Sequence, residues 1–129
     1  MRTLFVVAPV ALLALVACDA NGPTMKPGEN CKGCHDNFSV AGTVYPSAQA
    51  QASEGLSGVT VAVVDSAQKT VTMTSNSVGN FYSQESVTWP ATITLTLGTR
   101  TASMQNGQSG ACATCHNTSA TGQGRVYLP

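Results

Sequence analysis

Between residues 59 and 97 the chain repeats one pattern: apolar and polar side chains alternate, or β-branched residues cluster, in runs at 59–64, 70–74, 80–83 and 92–97. Successive side chains of a strand point to opposite faces, and β-branched residues suit a pleated, half-buried surface, so each run reads as a strand. A run at 40–45, stopped by Pro46, and a short one at 100–104 extend the set. Asp65-Ser66-Ala67-Gln68-Lys69 and Gly98 stand where hairpin turns are needed. No segment carries a convincing 3.6-residue period, and only 9% of residues are charged. The fold expected is therefore mainly β, a small antiparallel β-sandwich with short links.

This strand-rich segment is bracketed by two copies of one motif, Cys31-Lys32-Gly33-Cys34-His35 and Cys112-Ala113-Thr114-Cys115-His116. The chain has two histidines, and each closes one copy. Two Cys-x-x-Cys pairs can build a four-cysteine zinc site, or each can be a redox pair. Zinc leaves both histidines unexplained, and a thioredoxin-like pair expects a βαβ context that the strand pattern does not offer. The full Cys-x-x-Cys-His motif resembles the haem-attachment sequence of c-type cytochromes, in which two thiols add across the vinyl groups and the imidazole binds iron. That resemblance implies two covalently bound haem c groups. Cys31 and Cys34 would carry the first and Cys112 and Cys115 the second, with His35 and His116 as proximal ligands.

Because the motifs consume both histidines, the sixth iron ligand has to come from elsewhere. Met25, Met73 and Met104 are the methionines available after processing, and His/Met ligation raises the potential of a c-type haem. Met73 sits on an alternating strand, where packing is the competing role. Met25 and Met104 precede their motifs across segments expected to be flexible and long enough to reach a haem edge. Five-coordinate iron, or a ligand donated by a neighbouring molecule, is the alternative. Lys32, Arg100 and Arg125 are available to haem propionates or to solvent.

The N-terminus opens with Arg2, an apolar run over 4–16 and small residues before Cys18. This reads as a signal peptide over 1–17. Leu15-Val16-Ala17-Cys18 also resembles a bacterial lipoprotein signal, which implies lipidation of Cys18 and a membrane anchor. The competing reading is an ordinary cleaved signal with an incidental thiol. Residues 18–30, rich in turn formers, would be a tether; 31–39 the first haem-binding segment; 40–104 the β-sandwich; and 105–129 the second haem-binding segment. The central stretch is similar to carboxypeptidase-regulatory-like or transthyretin-like β-sandwich modules. The matching residues are Gly42-Thr43-Val44, Gly58-Val59-Thr60-Val61-Ala62-Val63 leading to Asp65, Thr74 to Phe81, and Trp89-Pro90 before the 92–97 run. The resemblance implies a fold and assigns no function.

Lys+Arg and Asp+Glu are balanced at 6 each, which gives no electrostatic footprint for nucleic acid. The expected function is electron transfer between redox partner proteins in the bacterial cell envelope, at the periplasmic face or outer surface, with the membrane reached through the lipid anchor. A small haem enzyme of peroxidase type, or a surface binding module carrying haems, are the alternatives. One motif precedes the sandwich and one follows it, so the haems lie together if the chain ends meet, and apart if they do not.

Overall fold

A computed structural model describes residues 22–129. The expected signal segment, Cys18 and the first residues of the tether lie outside the described residues. Among the described residues no helix is long and apolar enough to cross a membrane.

The described residues form seven strands, β1 (Val40–Tyr45), β2 (Thr60–Asp65), β3 (Thr70–Thr74), β4 (Asn80–Ser83), β5 (Ala91–Leu97), β6 (Arg100–Gly107) and β7 (Val126–Tyr127). They form a three-stranded sheet ordered β4-β1-β7 and a four-stranded sheet ordered β3-β2-β5-β6. The expected β-sandwich is what these two sheets make. Their shared core contains Val40, Val44, Val61, Val63, Val71 and Phe81, all at most 2% exposed. Burying each such side chain contributes about 1.5–3 kcal/mol before the cost of ordering it.

Local chemistry explains the turns. Gly98 occupies the first link position between Leu97 and Arg100, which face each other across the β5–β6 hairpin, and its φ of 60° is one that a residue without Cβ adopts freely. After β2, the Asp65 carboxylate accepts hydrogen bonds from the backbone N–H groups of Ala67 (3.0 Å), Lys69 (2.8 Å) and Thr88 (3.0 Å). The Thr88 bond first, and then those from Lys69 and Ala67, hold this carboxyl below its usual range. One side chain thereby fixes the β2–β3 turn to the loop that leads into β5.

Three features differ from the sequence expectation. β7 pairs parallel with β1, Val44 opposite Val126 and Tyr45 opposite Tyr127, so the sheet is not wholly antiparallel. Two residues are too few to leave a period in the sequence. β6 runs on past Met104 through Gln105, Asn106 and Gly107, two polar residues and a glycine that conceal a strand continuing the pairing as far as Ala91 opposite Gly107. The described part of the tether is pinned to the sandwich: Asn76 Nδ2 donates to Pro23 O (2.6 Å), Asn80 Nδ2 donates to Met25 O (2.9 Å), and Gly28 N donates to Thr43 Oγ1 (2.8 Å).

That pinning accounts for an asymmetry between strands. β2 and β3 alternate between buried and more exposed residues, whereas every residue of β1 is buried. Val40 and Val44 face the core. Thr43 and Tyr45, pointing the opposite way, are covered by the residues around Gly28 and by Arg125. β1 thus has a filled face on either side, and the two Cys-x-x-Cys-His motifs flank it.

Candidate functional site

The second motif is docked by the backbone. Ala41 N donates to Gly110 O (2.9 Å), and Ala41 and Ala111 form an isolated parallel bridge. This delivers one helical turn, α1 (Cys112–Cys115), to the side of β1. A helical turn places residues three apart on one side, which is the spacing two thiols need to address one ligand. The His116 N–H closes the turn on Cys112 O at 2.9 Å. Cys112 is buried in the core and Cys115 is exposed. His116 Nε2 lies 3.4 Å from Met104 Sδ, and its Nδ1 is buried without a hydrogen-bond partner. Cys112, His116 and Met104 line a cavity of about 270 Å³ shared with Phe81, Leu95 and Arg125. It lies on the core side of β1, because Phe81 and Leu95 belong to the core.

The first motif makes a similar turn from different packing. A 3-10 turn over Cys31–Gly33 is continued by His35 N donating to Cys31 O (2.9 Å). The His35 ring stacks on Phe38 with centroids 4.7 Å apart, and Phe38 stacks on Tyr82, also at 4.7 Å. Met25, Cys31, Cys34, His35, Phe38 and Tyr82 line a cavity of about 340 Å³. Met25 is fixed there through its own carbonyl by the buried Asn80 amide, whose Oδ1 accepts from Thr43 Oγ1 at 2.7 Å. Thr43 and Asn80 are opposite each other on β1 and β4, on the face away from the core.

In both motifs the leading cysteine is the more covered one. Burial pushes the Cys112 thiol up to about 12, with a smaller contribution from the nearby Cys31, and burial also raises Cys31. Cys31, Cys112 and Cys115 are free thiols. Cys34 is disulfide-bonded, so a thioether at that position requires the bond to be reduced first.

The remaining candidates separate cleanly. Met73 is 8% exposed on β3, opposite Val61, and belongs to the core; it lines neither motif cavity. Lys32 Nζ donates to Phe38 O beside the first motif. Arg125 lines the second cavity, lies 4.5 Å over the Tyr45 ring and donates from Nε to Ala50 O at 3.2 Å. Arg100 is exposed at the β5–β6 hairpin and lines neither cavity. The sequence reading missed Phe81, Phe38, Tyr82 and Asn80. Aromatic and amide residues inside a strand pattern carry no separate signal, and only pairing with β1 and the approach of residues 22–38 reveal their role.

Cysteine, imidazole and thioether are donor types that a covalently bound haem takes. Among the described residues no three of His, Cys, Asp and Glu come together in a group that could hold a metal ion. The second cavity offers Cys112, the His116 imidazole and the Met104 thioether, with Cys115 exposed one helical turn on; the first offers Cys31, Cys34, the His35 imidazole and the Met25 thioether. The volumes fall near the lower end of the ~300–1,000 Å³ usual for ligand pockets, a size that seats one edge of a porphyrin rather than enclosing it. No family model, curated protein or solved structure matches the chain.

Proposed function

We propose that the chain is a dihaem c-type cytochrome that passes single electrons between redox partner proteins in the bacterial cell envelope, anchored to the membrane through Cys18. The observation that carries this reading is the setting of His116. Nε2, the nitrogen free to bind iron in a Cys-x-x-Cys-His motif, faces the Met104 thioether, a weak acceptor, and Nδ1 is buried with no partner. Buried polar atoms are nearly always hydrogen-bonded, so a part-buried imidazole with no stronger partner than a thioether is poorly explained as a structural group. Iron at Nε2 would give that nitrogen a far stronger partner than the thioether, while Nδ1 would still donate its proton to a carbonyl or a water.

Bound haem supplies the one-electron chemistry. Cys112 and Cys115 would hold the second group covalently, and His116 and Met104 would ligate its iron. Cys31, Cys34, His35 and Met25 would do the same for the first. Met104 now lies 3.4 Å from His116 Nε2 and would have to move to make room for iron, which its flexible, unbranched side chain permits. The chain's own work is to fix the imidazoles: His35 by its stack on Phe38, and His116 by the α1 turn. Thioether ligation raises both potentials, and the apolar walls around the second site favour the less charged, reduced state. Electron carriage requires no further acid or base from the protein.

The test is to produce the full chain in a host with a functioning haem-attachment system and measure covalent haem by the pyridine haemochrome spectrum. Two haems per chain are expected, with a sulfur-to-iron charge-transfer band toward the red end of the oxidised spectrum. Covalent haem absent from such material sinks the proposal, and stoichiometric zinc in its place replaces it.

A further inference from the structure

The two motifs lie on opposite faces of the same sheet at the same place along it. Gly42 on β1 faces Phe81 on β4, and the next pair in the register is Thr43 with Asn80. Phe81 points into the core and lines the second cavity together with Cys112 and His116. Asn80 and Tyr82, its two chain neighbours, line the first cavity with Met25 and His35. Residue 81 contributes to both cavities, so only one layer of strand separates them.

The sheet is thinned at this point by a missing side chain. A Cβ on Gly42 would lie 2.9 Å from Phe81 Cζ and 3.0 Å from Cys112 Cβ. With glycine there, the Phe81 ring and the Cys112 side chain close directly over the core face of β1. Two packed sheets are ~10 Å apart, and a single layer with a glycine at its centre is thinner than that.

We propose that β1 and β4 form a one-layer partition across which the two haems exchange electrons directly, with Phe81 and Gly42 at the crossing point. The chain is then a two-site relay, taking an electron at one face of the sheet and delivering it from the other. The inference rests on the dihaem reading. In the transfer step, iron at one site is oxidised from ferrous to ferric as iron at the other is reduced from ferric to ferrous. No bond forms or breaks, no proton is required, and an external one-electron reductant supplies the electron at entry.

The test uses the intact holoprotein in two stages. Haem is first counted; fewer than two per chain overturns the dihaem reading and the relay with it. With two haems present, electron paramagnetic resonance is recorded on the fully oxidised protein and again after poising at half reduction, where one iron is ferrous and diamagnetic. Broadening or faster relaxation in the fully oxidised state that vanishes at half reduction is the expected result. Spectra that are a plain sum of two independent signals overturn the relay and leave the dihaem reading standing. Phe81→Leu provides a second measurement: it should shift the spectra of both haems, while Phe38→Leu should shift that of the first alone. A Phe81→Leu effect confined to one haem overturns the shared partition.

Discussion

The two motif sites have the same residue types in the same order and are built by opposite means. The second lies on the core side of β1, where Phe81, Leu95 and Met104 surround Cys112 and His116. The first lies on the outer face, where residues 22–38 are fastened to the sheet by Asn76, Asn80 and Thr43 and by the His35–Phe38–Tyr82 stack. One site is part of the hydrophobic core and the other is an appended cover held by polar bonds. Burial of the core is cooperative, whereas hydrogen bonds at a surface segment open locally, so the first site should loosen without the domain unfolding.

The sharpest way to break this contrast is to remove what the sites share. Phe81→Ala opens a void in the core beneath both cavities and should cost about 3–5 kcal/mol in denaturant unfolding, with both haem spectra disturbed. If only one spectrum moves, the sites are not back to back.

Next in size are two substitutions that should act on one site each. Asn80→Ala removes the amide that holds Met25 and leaves Thr43 without its acceptor, at a cost of about 1–3 kcal/mol. Limited proteolysis should then cut within residues 22–30, and the first haem should lose its sulfur-to-iron band while the second keeps its own. Gly42→Ala forces a Cβ against Phe81 and Cys112 and should cost about 1–3 kcal/mol through overpacking, with the second site perturbed. Reversal of this pattern would mean that the faces have been assigned the wrong way round.

Methionine exchanges should change stability less and spectra more. Leu for Met conserves volume and costs less than about 1.5 kcal/mol. Met104→Leu should abolish the charge-transfer band of the second haem alone, Met25→Leu that of the first alone, and Met73→Leu neither. A band that survives the double Met25, Met104 exchange would show that sulfur is not the sixth ligand.

The smallest expected effect is chemical. In the haem-free chain, iodoacetamide should label exposed Cys115 fastest, Cys31 more slowly and Cys112 slowest, since a buried thiol is both inaccessible and held in its protonated form. A raised thiol pKa means that the thiolate is scarce below that value, so labelling of Cys112 should climb as pH rises toward about 12. Mass spectrometry of labelled peptides reads the order, and equal rates at Cys31 and Cys112 would erase the distinction between appended and core-embedded sites.

Much of the scaffold was legible in the chain. The runs at 40–45, 70–74 and 80–83 coincide with β1, β3 and β4: β3 alternates because one face is wet, whereas β1, buried throughout, is marked by its β-branched residues and by Pro46 at its end. Val59 was read into β2 but lies just before it, its N–H taken by Ser75 Oγ at 2.9 Å; a side-chain partner of that kind leaves no trace in local pattern. β7 was invisible for a related reason. A two-residue strand exists only because β1 offers it an edge.

By itself the sequence determined which residues can carry chemistry: two Cys-x-x-Cys-His motifs, no histidine to spare, and three methionines from which to choose. Ligand chemistry depends on residue type and short spacing, and both are local. Tertiary structure alone set where those methionines lie, placing Met73 in the core, Met104 against His116 and Met25 in the cavity of His35. It also decided that motifs 81 residues apart, as counted from Cys31 to Cys112, sit back to back on one sheet. That outcome follows from how β1 pairs with β4 on one edge and with Ala111 and β7 on the other, and long-range pairing of this kind has no signature in any single stretch of chain.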